Sequence, residues 1–405
     1  LDLAAINDYP LLNFDANILL HPSAQTSTIM RFHNSALLLL LTTVSTVFSC
    51  TNSNKEIKKT TVYYDPVKAE RENKMIDSFF DSLLPKSTFN GAILVAKKGF
   101  ILFEKYQGNA HINKKDSIRS STPFHIASTS KPFTAMAILK LAEEGKLKLS
   151  DPLEKFFPAF PYQNISIQML LTQRSGLPNY THFLSKKLWK KETMVTNKDV
   201  LEFLYKTKLD RRGMPGQKFD YCNTNYVLLA LIAEQLTGMT FPAYLKATFF
   251  DPLQMNNTFI FQSSDLPRIT PSFRQNGIEE AVTFLDGTYG DKNIYSTVQD
   301  LFKWDQALYS DFFSESIKEQ AFTAYSPEMK GIQNYGLGWR MLLTDSSKKI
   351  IYHNGWWHGS NSCFYRVLSD SLTIIVLGNK LNNKIYRVKP LIEMLTDLRF
   401  ESSDH

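Results

Sequence analysis

The chain has 405 residues, enough for a sizeable core in one large domain or two ordinary ones. Hydrophobic residues make up 43% and charged residues 21%, a globular balance that excludes a disordered or fibrous chain. The net charge of +7 comes from scattered lysines, densest at Lys186-Lys187-Leu188-Trp189-Lys190-Lys191; with no binding motif beside it, that cluster reads as a solvated helix face, and nucleic acid is not an expected partner.

Residues 1–29 begin with Leu1, show no clear periodicity and read as an upstream, non-native extension. Met30 and Arg31 then open a short processing segment. Its apolar run, Ala36 to Val47, is too short for a comfortable membrane span, and Val47-Phe48-Ser49-Cys50 follows. Residues 30–49 resemble a bacterial lipoprotein signal peptide, in which the cysteine is lipidated and becomes the mature N-terminus. Phe48 is bulkier than that pattern usually carries, and an ordinary secretory signal is the alternative. The resemblance implies a lipid anchor on Cys50 and a place in the bacterial cell envelope, facing the periplasm or the exterior. Residues 50–72 are polar and read as a tether; the body runs over 73–400.

A helical period, Met75, Ile76, Phe79, Phe80, Leu83 and Leu84, ends at Pro85. Ala92–Val95 and Phe100–Phe103, around Lys97-Lys98-Gly99, predict a β-hairpin. Ser128 and Lys131 follow, three residues apart, which on a helix places them on one face. Pro132 suits a first turn, and Phe133 to Ala142 supply a deeply apolar helix closed by Gly145. A serine hydroxyl needs a neighbouring base to become a nucleophile, and a buried lysine can be that base. An N-cap serine is the inert reading of the same residues. A second Ser-x-x-Lys, Ser346 to Lys349, falls in a polar turn with no helix behind it.

From about 147 to 286 helices alternate with Pro- and Gly-bearing turns, and Asn225–Leu236 with Gly238 beyond it is the strongest helix. From Gly336 strands return, at Leu337–Leu343, Ile350–His353, Ser362–Val367 and Leu372–Leu377, before a last helix near Leu391–Leu398. Strand material lies at both ends and helical material between. The expected fold is therefore α/β in the α+β sense: an antiparallel β-sheet flanked by helices, built from both ends of the chain, with an inserted all-helical region. Three cysteines exclude a disulfide framework; a Cys222–Cys363 bridge is conceivable, and two buried free thiols are the expected state. The scattered histidines contain no metal motif, and no cofactor fingerprint is complete, so neither metal nor cofactor is expected.

Two further elements come in order after Ser128: Tyr221-Cys222-Asn223 before the strong helix, and His353-Asn354-Gly355 at the end of a strand. With that order the chain is similar to the serine β-lactamase and penicillin-binding-protein-like hydrolases, closest to the class C β-lactamase, esterase and D-aminopeptidase branch. Leu170 to Pro178, Pro215-Gly216, Pro252 to Met255 and Tyr335 to Trp339 agree with it, and the likeness covers about 73–400. The resemblance implies the β-lactamase/transpeptidase fold. It implies Ser128 as nucleophile, Lys131 as its proton partner and Tyr221 as base and acid. It also implies Asn223, His353, Gly355 and Trp356 as substrate-binding groups, with the N–H groups of Ser128 and Trp356 as the oxyanion hole. His353 stands where β-lactamases carry lysine, which favours an ester, small amide or D-amino-acid peptide over a β-lactam. Gln173 replaces a usual histidine at a position that looks structural. The alternatives are a penicillin-sensitive D,D-peptidase or β-lactamase, and a non-catalytic binding lipoprotein on the same scaffold.

Overall fold

The computed structural model describes residues 63–400 except 113, 115, 186, 187, 190, 191 and 345–347. The extension 1–29, the signal segment 30–49, Cys50 and most of the tether lie outside those residues, as do all four lysines of the 186–191 cluster and Ser346. Helix α1 spans Pro66–Leu83, so helical structure begins seven residues before the body was expected to start; Asp65 caps it by accepting the Lys68 N–H, with Pro66 at its first turn.

The sheet has eight strands, every neighbouring pair antiparallel. β1 (Gly91–Lys97) and β2 (Phe100–Gln107) come from the N-terminal side. β3 (Ser326–Pro327), β4 (Gln333–Tyr335), β5 (Arg340–Leu343), β6 (Lys349–Trp357), β7 (Ser360–Val367) and β8 (Leu372–Gly378) come from the C-terminal side. The order is β3-β4-β5-β6-β7-β8-β1-β2, and the two halves join where β1 pairs with β8 from Gly91↔Gly378 to Lys97↔Leu372.

Both faces of the sheet are covered, which explains the unbroken apolar runs of β1 and β8. Along β1, Ala92, Leu94 and Ala96 enter one core, while Ile93 and Val95 enter the other. The first core also holds α2 (Lys131–Glu143), whose Phe133 stacks on Trp304 at 4.1 Å between ring centroids. The second core packs against α1 and the terminal helix Lys389–Leu395. Each large aliphatic side chain so buried contributes roughly 1.5–3 kcal/mol.

The region inserted between the two halves of the sheet is helical through α3 (Asn197–Thr207) and α4 (Asn223–Thr237). Gly238, at φ 69°, ends α4 with its N–H on the Glu234 carbonyl, as a left-handed cap should. The stretch 147–286 is not all helix, however. Phe259–Ile260 pairs with Ile294–Ser296, and Ser272–Phe273 pairs with Glu279–Glu280. These strands of two or three residues are too short to leave a period in the sequence.

Candidate active site

The chain leaves the short strand Phe124–His125, which pairs with Tyr295–Ser296, and makes one 3₁₀ turn, Ala127–Ser130, into α2. A three-residue turn eclipses positions i and i+3, so Ser128 and Lys131 share an edge. Lys131 Nζ lies 3.1 Å from Ser128 Oγ. Ser128 is half-buried and Lys131 fully buried. A buried ammonium must find acceptors, and Lys131 finds Asn223 Oδ1 at 2.8 Å and the Asp291 carbonyl at 2.9 Å. All three oxygens around it belong to neutral groups.

The turn is clamped to the sheet. Thr129 Oγ1 donates to the His353 carbonyl at 3.3 Å and lies 2.8 Å from Ser362 Oγ, which donates to the Ile126 carbonyl at 2.6 Å. A Cβ on Gly355 would come within 2.3 Å of both the Ile126 carbonyl and Ser362 Oγ, so only glycine lets β6 approach this closely. Ala127 takes φ 47°, a left-handed conformation that costs a non-glycine residue about 1–2 kcal/mol. Its N–H donates to His125 Nδ1 at 3.2 Å, and His125 Nε2 donates to Asn293 Oδ1 at 2.7 Å. Burial pushes the His125 pKa down to about 4, so the ring is neutral and keeps the tautomer this chain of bonds requires.

Across the cleft, Lys131 Nζ lies 4.8 Å from the centroid of the Tyr221 ring. Three bonds from one residue fix the Tyr221 loop. The Gln173 carbonyl accepts the Asp220 N–H at 2.8 Å, and Gln173 Oε1 accepts the Cys222 N–H at 3.0 Å and Asn225 Nδ2 at 2.7 Å. Gln173 is fully buried, and its Nε2 has no partner among the described residues. On the outer side Arg212 grips Asp220 with two bonds of 2.8 Å. Asn223 opens α4 beside this loop; with its Oδ1 on Lys131, its Nδ2 is the group left to offer a substrate carbonyl.

His353 stands close, its ring centroid 6.4 Å from that of Tyr221, yet it is fully buried. Nδ1 donates to the Asn354 carbonyl at 2.8 Å, and Nε2 accepts from Tyr335 Oη at 3.3 Å. Burial, with Arg340 and Lys131 nearby, holds its pKa well below the usual histidine range. His353, expected as a substrate-binding group, is a neutral wall group whose nitrogens are engaged inside the protein. The cation on this side is Arg340, which the motif reading missed. Its guanidinium carbon lies 5.3 Å from the Tyr221 ring centroid and Nη1 bonds Glu328. Burial works against that charge, but Glu328, foremost among several neighbouring groups that together outweigh burial, helps raise the Arg340 pKa. Arg340 directly follows Trp339, inside a stretch already notable in the sequence, but nothing in its spacing marks it. Trp356 is 49% exposed and donates its indole N–H to the His358 carbonyl, leaving an apolar face at the cleft mouth.

Cys222 and Cys363 are buried free thiols, and burial pushes the Cys222 pKa up to about 11. Among the described residues no group of three or more His, Cys, Asp or Glu side chains is placed to hold a metal ion.

Comparison with known proteins bears on the family and the fold. The beta-lactamase family model matches residues 76–395. A penicillin-binding protein of Bacillus subtilis (strain 168) is 32% identical over 334 residues, covering 78% of this chain and 74% of the relative. Protein flp of Staphylococcus aureus (strain MRSA252) is 28% identical over 344 residues, 80% of this chain and 65% of the relative. Among solved structures, a penicillin-binding protein from Bacillus halodurans matches with TM-score 0.69 and 26% identity over 78% of this chain and 99% of its own. The D-amino acid amidase of Ochrobactrum anthropi SV3, at TM-score 0.67 and 20% identity over 80% and 99%, shares the fold.

Proposed function

The chain belongs to the beta-lactamase family of serine hydrolases, and from that premise we propose that it cleaves an ester or small amide, including a D-amino-acid peptide, through an acyl-enzyme on Ser128. The observation that carries this reading is the 3.1 Å contact between Lys131 Nζ and Ser128 Oγ, inside a buried cage of neutral acceptors. In a neutral state Lys131 takes the Ser128 proton as Oγ attacks the carbonyl carbon. The N–H groups of Ser128 and Trp356 receive the oxyanion, each such donor contributing roughly 3 kcal/mol. Tyr221 passes a proton to the leaving group, then draws one from the water that breaks the acyl bond, while Lys131 returns its proton to the departing Ser128 Oγ.

Neutral, buried His353 supports an ester or amide over a β-lactam, because the strand carries no free lysine for the β-lactam carboxylate. A penicillin-sensitive D,D-peptidase is the second reading. Arg340 favours it: its side chain, 25% exposed beside Tyr221, is a cation able to meet a peptide or penicillin carboxylate. A non-catalytic binding protein on this scaffold is disfavoured by the joint presence of Ser128, Lys131 and Tyr221.

The test is hydrolysis of p-nitrophenyl acetate by the wild type and by Ser128→Ala. Turnover that disappears in the variant is expected; equal turnover in both would overturn the assignment of Ser128. The sequence Val47-Phe48-Ser49-Cys50 supports a lipid anchor on Cys50 and an envelope location facing the periplasm or exterior. Cys50→Ala should then move the protein from the membrane fraction to the soluble one, and an unchanged distribution would remove the anchor.

A further inference from the structure

A second buried lysine, Lys292, stands near Lys131, and the mechanism above leaves it unused. Asp291 touches both. Its main-chain carbonyl accepts from Lys131 Nζ at 2.9 Å, while its carboxylate is engaged elsewhere. Oδ2 accepts the Tyr180 hydroxyl at 2.7 Å and lies 3.8 Å from Lys292 Nζ. Lys292 Nζ in turn donates to Tyr180 Oη at 2.6 Å and to Thr288 Oγ1. The Trp357 indole covers it as well, with Nζ 4.8 Å from the ring centroid. That indole also lines a cavity of about 520 Å³, which Lys292 does not reach, so the ring shuts the ammonium off from it. Lys131 and Asp291 are fully buried, and Lys292 is 3% exposed.

Charges buried this deeply are little screened and act strongly on one another. Tyr180 is neutral, because it donates its proton to Asp291 and burial raises its pKa well above the usual range. Burial lowers the Lys292 pKa and Lys131 pushes the same way, while the Asp291 and Asp286 carboxylates oppose both. Asp286 is itself bound by His358 at 3.0 Å. The repulsion between the lysines is mutual, so a charge on Lys292 opposes an ammonium at Lys131. The two are not equally placed to carry it. Lys292 has carboxylates beside it, whereas among the described residues no carboxylate pairs with Lys131, whose acceptors are all neutral. Nor do the groups around Lys131 answer a charge there. Tyr226 and His353 are kept neutral by burial, Tyr221 presents its ring, and Arg340 beyond that ring is another cation.

Resting on the acyl-enzyme reading above, we propose that Lys292 is a positioning residue of the active site: paired with Asp291, it retains the positive charge of the two lysines, so that Lys131 meets Ser128 as a neutral amine. Asp291 serves both ends. Its carbonyl orients the Lys131 amine, and its carboxylate keeps the charge on Lys292. Without Lys292 the same carboxylate would favour an ammonium at Lys131, and the base would be lost at a higher pH.

The test is the pH dependence of kcat/KM for p-nitrophenyl acetate in the full chain, where the fall toward acid reports protonation of the base. Lys292→Met should move that acid inflection up by about 1 pH unit, with the alkaline plateau near the wild-type value. Adding Asp291→Asn, which removes the unpaired carboxylate but keeps the carbonyl on Lys131, should bring the inflection back toward its wild-type position. If Lys292→Met does not fold, Lys292→Gln, which keeps a donor for Tyr180 and Thr288, carries the same comparison. An unmoved inflection would overturn the proposal, as would a loss equal at every pH, which is the mark of a merely structural role. If the wild type turns over no ester, or Ser128→Ala turns it over equally, the acyl-enzyme reading fails separately. The carbon-13 resonance of Lys131 Cε, assigned with Lys131→Met, then decides the proposal. Its titration midpoint should rise in Lys292→Met and fall back in the double variant, and one midpoint in all forms would overturn it.

Discussion

The two sides of the active-site cleft are held by different means. On the strand side, β6 is fixed by ladders to β5 and β7, and the Ser128 turn is bolted to it by Thr129, Ser362 and the absent side chain of Gly355. Many backbone bonds share that task. On the Tyr221 side an irregular loop carries Tyr221 and leads into Asn223. It is held mainly by side chains: the buried amide of Gln173, the surface ion pair Arg212–Asp220, Arg174 on the Gly216 and Gln217 carbonyls, and Lys131 on Asn223 Oδ1. The strand side should therefore tolerate single changes that the loop side does not, because a ladder loses one bond in many while the loop loses one of a few side-chain anchors.

The largest effect belongs to the group that spans the cleft. Lys131→Met should lower kcat/KM for p-nitrophenyl acetate by about 10²–10⁴-fold, the usual worth of a positioned general base, with the thermal melt still cooperative. A variant within a few-fold of wild type would mean that Tyr221 alone activates Ser128, and the cleft would then depend on one side only.

Gln173→Leu comes next. It leaves the Cys222 N–H and Asn225 Nδ2 buried without their acceptor, at roughly 1–3 kcal/mol each. Tyr221 and Asn223 should shift with them, and a displacement near 1 Å can lower turnover by about 10²-fold. Gln173→His, the residue expected from the family pattern, should recover most of the activity if its ring nitrogen accepts one of these bonds. If Gln173→Leu loses stability but keeps kcat, the loop is held by packing and the contrast between the two sides fails.

Much of the strand side was legible in the sequence. The runs of β1 and β8 are continuous because both faces are buried, and the Ser128–Lys131 spacing survives from helix expectation to 3₁₀ turn because either geometry puts positions i and i+3 together. The loop side was less so. Gln173 stood out only as a departure from a pattern, and its role depends on a side chain reaching across 49 residues to Cys222. Arg340 and Asp291 carry no local signal, since one acts through a ring contact and the other through a main-chain carbonyl. The burial of His353 was not legible, because a strand residue's burial depends on what packs over it, here Tyr335 and Tyr221. The cavity behind Trp357 was invisible, being lined from segments as distant as His111, Phe261 and His358.

The strand side has its own weakness, and it is a matter of pH. His125 has a folded pKa of about 4 against an ordinary 6.5, so below 6.5 the unfolded chain binds a proton that the folded one refuses. This contribution to stability is full above pH 6.5 and is lost as pH falls from 6.5 toward 4, by at most about 3 kcal/mol. His353, also buried with a depressed pKa, adds in the same direction. Urea unfolding at pH 7.5 and 4.5 should show the loss, and His125→Gln should reduce the difference between the two pH values. An equal difference in the variant would assign the acid sensitivity to other groups.

The smallest expected effect sharpens the contrast most. Arg212 and Asp220 form a two-bond fork, the strongest geometry an ion pair can take, on the same loop that Gln173 holds. Its side chains are 38% and 14% exposed, so water screens the pair and side-chain entropy opposes it. Arg212→Ala should cost no more than about 1 kcal/mol of stability and a few-fold in kcat, less at high salt. The buried amide would then position Tyr221, and the surface pair would only limit the loop's excursions. A double-mutant cycle between Gln173→Leu and Arg212→Ala separates the two. Additive losses mean independent anchors. If Arg212→Ala alone matched Gln173→Leu, the loop would be held from outside, and the buried amide would be filling space.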